Sequence, residues 1–154
     1  MEGDPIGNFR FRIPPGDPNY SATSSFTFPT DARIVSFMPH MHLRGKAVRI
    51  MAYYPDGSTE RVLEVPKYDF NWQTTYEYAE YKFVPKGTRL EMTGWWDNSE
   101  NNPYNPDPTA EVRWGRPTTA EMMFAWMRYT DALPTGDVAG GDSTDIAIEA
   151  APSQ

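Results

Sequence analysis

Lys46-Ala47-Val48-Arg49-Ile50-Met51-Ala52-Tyr53-Tyr54, then Pro55-Asp56-Gly57-Ser58, then Glu60-Arg61-Val62-Leu63-Glu64-Val65 reads as strand, turn, strand. Pro, Asp and Gly are the residues that tight reversals demand. The flanking segments are therefore expected to pair as an antiparallel hairpin.

The same pattern recurs on both sides. Phe9-Arg10-Phe11-Arg12-Ile13 alternates and stops at Pro14-Pro15-Gly16. Ser25-Phe26-Thr27-Phe28 alternates and stops at Pro29, and the mostly apolar run from Arg33 to Met38 ends at Pro39. Downstream, Gln73 to Tyr81 is aromatic and alternating, Pro85-Lys86-Gly87 marks a turn, and Thr88 to Trp96 reads as a strand. Glu121 to Tyr129 is the last periodic segment. Its pattern alone allows a strand or a short helix, and its flanks favour a strand. Fifteen prolines spread along the chain forbid long helices. The expectation is an all-β, antiparallel β-sandwich, jelly-roll-like, of about eight strands.

At 154 residues the chain fits one domain. Residues 1–133 are assigned to the sandwich. From Pro134 the composition turns to Gly, Asp, Ser, Ala and Thr without aromatics. Residues 134–154 are read as a flexible tail, with Ile146 and Ile148 as a weak edge strand. Asp97 to Pro108 is a long polar loop of the kind that is often functional or mobile.

With no cysteine, disulfides, zinc–thiolate sites, iron–sulfur clusters and cysteine nucleophiles are excluded. The net charge of −7 and scattered basic residues disfavour nucleic acid as a partner. No apolar run approaches the roughly 20 residues of a membrane helix. The start, Met1-Glu2-Gly3-Asp4-Pro5, is no signal peptide, so the signal of an exported parent would lie outside this chain.

The two histidines stand at i and i+2, in Pro39-His40-Met41-His42. On a strand such side chains share a face, with Cα atoms about 7 Å apart. Two imidazoles there can meet one ion at about 2 Å. Met41 would point the opposite way. A third ligand must come from elsewhere, either a carboxylate such as Asp97 or a thioether, and a thioether favours Cu(I). At most one of Met122 and Met123 can face the histidines on a strand. The bland alternatives are two hydrogen-bonded histidines without metal, a Met-Met pair that fills the core, and Trp95, Trp96 and Trp114 as packing residues. GxSxG, P-loop and GxGxxG signatures are absent. A cupin is disfavoured, because Lys46 and Ala47 stand where its Glu would be and no third His exists.

Met38-Pro39-His40-Met41-His42-Leu43-Arg44-Gly45-Lys46, with Thr118-Thr119-Ala120-Glu121-Met122-Met123 downstream, resembles the copper type II, ascorbate-dependent monooxygenases. Peptidylglycine α-hydroxylating and dopamine β-monooxygenase are familiar members. Bacterial domains of that superfamily look closer, through Tyr68-Asp69-Phe70-Asn71-Trp72-Gln73, Asp97-Asn98-Ser99 and Trp114-Gly115. The likeness covers roughly Asn8 to Tyr129. It implies the second of two β-sandwich domains, whose copper, held by His40, His42 and Met122, binds dioxygen for C–H hydroxylation. The first domain's three-histidine copper, which supplies an electron, has no counterpart in this chain. A second copper domain or electron-donor protein is implied as partner, with a small-molecule reductant possible. Periplasmic or extracellular location follows by analogy.

The substrate side departs from the family. Met38 replaces an Arg and Trp126 replaces a Tyr, so a peptide-carboxylate anchor is not expected. Asp97 and Asn98 are candidate partners of the imidazoles. Two other readings stand beside this one: a non-catalytic interaction or assembly module of a larger exported protein with a vestigial metal site, and a copper carrier or redox relay.

Overall fold

In the computed structural model, which describes residues 2–132 (side chains from Pro5 onward), the chain runs through ten strands. They are β1 (Glu2–Gly7), β2 (Arg12–Ile13), β3 (Tyr20–Thr27), β4 (Ala32–His40), β5 (Gly45–Tyr53), β6 (Thr59–Val65), β7 (Tyr76–Val84), β8 (Arg89–Trp96), β9 (Val112–Arg113) and β10 (Phe124–Asp131). No helix occurs among the described residues. Eight strands form two antiparallel four-stranded sheets, ordered β1-β10-β4-β7 and β3-β8-β5-β6, while β2 and β9 form a separate short pair. Among those eight, only the β5–β6 hairpin stays within one sheet. Every other step changes sheet, which is jelly-roll wrapping.

The core lies between the inner faces. Ile34 and Phe37 of β4 and Ala125, Met127 and Tyr129 of β10 meet Val48 and Ile50 of β5 and Leu90, Met92 and Trp96 of β8. Strand alternation would put Ile34, Ser36, Met38 and His40 on one face. A bulge at Val35 breaks that phase, since β10 and β7 both skip from Ile34 to Ser36. Beyond it Phe37 and Met41 are core residues, and the alternation sends His40 to the outer face. One extra residue thus decides on which side of the sandwich the imidazole stands.

Most anticipated strands are present with shifted ends. Lys46 to Val65 forms the expected hairpin, with Gly57 at φ 86° in its turn. Glu121 to Tyr129 yields a strand that starts later, at Phe124. Two expectations need correction. Only Arg12–Ile13 of the Phe9–Ile13 segment is strand, and it pairs with β9 alone. The run from Arg33 does not end at Pro39, because β4 continues through it to His40. The acidic start, to which no element was assigned, is strand β1, whose backbone completes the edge beside β10. The assignments at 134–154, including Ile146 and Ile148, lie outside the described residues.

Candidate metal centre

His40 is the last residue of β4, and His42 lies just beyond its end. Their rings face each other edge-on, with centroids 5.1 Å apart and planes at 88°. At a metal–nitrogen bond of about 2 Å, rings so spaced can reach one ion. Met41 between them is fully buried in the core, on the opposite side as expected. Gly45 permits this tight end: a Cβ there would stand 2.9 Å from Met41 and 2.8 Å from the Tyr68 ring.

Each ring is fixed through its δ nitrogen. β4 pairs Phe37 with Tyr76, and continuing that register puts Gln73 opposite His40. Gln73 Oε1 lies 2.5 Å from His40 Nδ1. The amide orientation is set by Gln73 Nε2, which donates to Phe70 O at 2.9 Å. A carbonyl oxygen therefore faces the ring, and Nδ1 must carry the hydrogen. His42 Nδ1 meets Ala120 O at 3.2 Å, which fixes the same tautomer. With its hydrogen on Nδ1, a neutral ring keeps the Nε2 lone pair that a metal ligand requires, and a second backbone carbonyl, that of Pro117, also hydrogen-bonds His42. His42 is only 3% exposed. Burial lowers its pKa, with the neighbouring His40 pulling the same way, so the ring is neutral at pH 7. Phe124 stacks on His40 at 4.8 Å, and Phe70 stands edge-on to His42 at 5.9 Å.

Glu121 joins the two halves of the site. Its Oε2 accepts from His42 N at 2.8 Å and Trp96 Nε1 at 3.1 Å, and its Oε1 accepts from Arg44 N at 2.7 Å. This fully buried carboxylate holds the segment after His40 against the segment before β10. Burial pushes its pKa up to about 7, against the pull of those donors and the Arg44 guanidinium. Tyr68 clamps the same turn: its hydroxyl accepts from Met41 N at 3.0 Å and donates to Met41 O at 2.8 Å.

Burial alternates from Glu121 onward, with Met123, Ala125 and Met127 inside and Met122, Phe124 and Trp126 outside. Met123 is the core filler. Met122, just before β10, is half-buried and in the outer phase of the alternation that Phe124 and Trp126 continue. Met38 is also there, paired with Trp126 across the strands. Asp97 and Asn98 stand elsewhere. Asp97 accepts from Ser99 N and Oγ, while Asn98, fully buried, accepts from Arg44 Nε and donates to Pro14 O and Ala110 O. Among the described residues no group of three His, Cys, Asp or Glu side chains is placed to hold a metal, so Asp97 does not complete the pair. The thioethers on the outer side are those of Met122 and Met38, which are soft donors.

The sequence reading missed Gln73, Ala120 and Phe124, and the roles of Tyr68, Phe70 and Glu121. Tyr68, Phe70 and Gln73 lie in one stretch quoted for the resemblance and Ala120 and Glu121 in another, and that likeness is the one available signal. Trp96 is core, and Trp114 packs partly buried against it with Phe9 edge-on at 5.4 Å. Among the described residues no helix is long and apolar enough to cross a membrane. No protein-family model and no curated protein matches the chain.

Proposed function

We propose that His40, His42 and Met122 hold one copper ion, and that this domain is the dioxygen-binding half of a copper-dependent monooxygenase. The observation that carries the reading is the matched state of the imidazoles. Each sets Nδ1 against a carbonyl oxygen, which in the neutral ring leaves the Nε2 lone pair for an ion, on adjacent rings. Two imidazoles with a thioether form a donor set suited to Cu(I). Copper bound there would supply dioxygen chemistry for C–H hydroxylation. Converting R–H and O2 to R–OH and water consumes two electrons and two protons. Both histidines of the chain serve this one site, so the electrons come from a second copper domain, an electron-donor protein or a small reductant. The residues around the ion have separable tasks: Gln73 and Ala120 orient the rings, Glu121 and Tyr68 fix the backbone between them, and Phe70 and Phe124 shield their faces. An oxidising exterior or periplasm suits this chemistry.

The test is copper K-edge X-ray absorption on the chain loaded anaerobically with one equivalent of Cu(I). The expected spectrum has two imidazole shells and one sulfur, the sulfur being lost in Met122→Leu. Copper that fails to bind stoichiometrically, or binds without sulfur, would end this reading in favour of a non-catalytic interaction module.

A further inference from the structure

The outer face of the β1-β10-β4-β7 sheet changes character along β10. The row containing His40 pairs it with Phe124, and Phe124 with Gly7. The next row holds Met38, Trp126 and Pro5. One row further, Arg128 pairs with Ser36, and Ser36 with Glu77. The two apolar rows, one of which contains the histidine, are thus closed off by a polar row, and the exposed Tyr81 and Phe83 of β7 lie beyond it, Phe83 beside Arg33. The rings run continuously outward: His40 to Phe124 at 4.8 Å, then Phe124 to Trp126 at 5.4 Å and 76°. Trp126 is 47% exposed. Phe9, 56% exposed, flanks the patch, with its ring tip 3.4 Å from where a Gly7 Cβ would stand.

Apart from His40, these two rows carry no acidic or basic side chain. A carboxylate or ammonium settling on them would lose water without gaining a partner. Phe124 and Trp126 are two residues apart on one face, roughly 7 Å, a span of about two fused rings. A protein interface ordinarily draws on about 20–30 residues a side, whereas this surface is a handful of side chains that turns polar at Arg128 and Glu77. Its extent fits a small molecule.

We propose that Phe124, Trp126 and Met38 form the substrate platform, and that the substrate is an uncharged, flat, apolar molecule of one or two rings. The ligand lies over Phe124 and Trp126 with one edge at His40 and His42. Its identity as substrate rests on the copper reading; its binding does not.

The experiment uses 19F NMR on the full chain, metal-free and loaded with Cu(II), with 4-fluorotoluene as the neutral probe and 4-fluorobenzoate and 4-fluorobenzylamine as charged counterparts. The neutral probe is expected to bind at least ten-fold more tightly than either ion. Trp126→Ser should weaken it at least five-fold and Trp126→Phe should restore it, and bound Cu(II) should broaden its signal. Equal binding of the charged probes, indifference to Trp126→Ser, or an unbroadened signal with copper in place would each overturn the proposal. So would a dimer in sedimentation that disappears in Trp126→Ser, since a second copy would then be the occupant. If electron paramagnetic resonance finds no copper on the histidines while the neutral probe still binds, the copper reading fails, and the substrate assignment with it, while the binding surface stands.

Discussion

Two polar clusters lie side by side behind the end of β4 and share Glu121, yet they differ in how completely they use their hydrogen bonds. In the first, Glu121, Arg44, Asn98 and Trp96 answer one another until both carboxylate oxygens and both ends of the Asn98 amide are occupied. In the second, His40 and His42 each set Nδ1 against a carbonyl oxygen, which in the neutral ring leaves the Nε2 lone pair. A saturated network buried in apolar surroundings specifies structure and offers nothing to a ligand. Two matched lone pairs, with their tautomers fixed, offer a ligand a place. The first cluster holds the frame on which the second is mounted.

The largest effect should come from breaking the saturated cluster. Glu121→Leu leaves the His42, Arg44 and Trp96 N–H groups without their acceptor and the buried Arg44 guanidinium without its neighbouring carboxylate. Removing one member of such a buried charged set costs about 3–5 kcal/mol. Urea unfolding of wild type and variant measures it. A loss under about 1 kcal/mol would mean that Glu121 is not structural and that the two clusters are not distinct in kind.

Next in size is a pH effect from the same carboxylate. Its folded pKa of about 7 stands above the ordinary 4.5. Between those values the folded chain keeps a proton that the unfolded chain has released. This contribution to stability is therefore complete below pH 4.5 and is lost as pH rises to 7. The shift corresponds to about 3 kcal/mol. The unfolding free energy of wild type, relative to Glu121→Gln, should fall by about that much between pH 4.5 and 7. A difference that stays flat, or rises, would mean that the three donors outweigh burial at this site.

The hairpin, the alternation and the proline stops carried the sandwich into view from sequence, because periodicity two and turn chemistry are local properties. The His pair was legible for a similar reason: i and i+2 fall on one side of extended chain, and the two rings meet although only His40 lies in β4 and His42 stands just past its end. What could not be read was which face. That depends on the bulge at Val35, a residue no different in type from its neighbours, whose effect exists only against β7 and β10. The partners of the rings were hidden for a related reason. Gln73 reaches His40 through the register of a strand pair 33 residues apart in sequence, and Ala120 reaches His42 through a backbone carbonyl that carries no side-chain signature. Asp97 and Asn98 stand out as polar residues in a long loop, but their hydrogen bonds go to that loop, to Arg44 and to the carbonyls of Pro14 and Ala110. Met122 and Met123 were indistinguishable by type and were separated only by the strand phase that buries Met123.

The smallest change should be the most selective. Gln73 is exposed and contributes no apolar packing to the core, so its effect on stability should stay within about 0.5 kcal/mol. Its amide nevertheless fixes both the tautomer and the rotation of His40. Gln73→Leu frees that ring to turn and to move its proton to Nε2, the nitrogen the ion needs. Copper affinity should fall about 10–100-fold while the urea midpoint is unchanged. Gln73→Glu keeps an acceptor at Nδ1 and should retain binding. Competition with a chelator of known strength reads the affinity, and unfolding reads the rest. If Gln73→Leu shifts the midpoint as Glu121→Leu does, the imidazole partners belong to the frame, and the division between the clusters disappears. If affinity falls alone, ring orientation and fold are separable, because Glu121 holds the frame through hydrogen bonds in which Gln73 has no part.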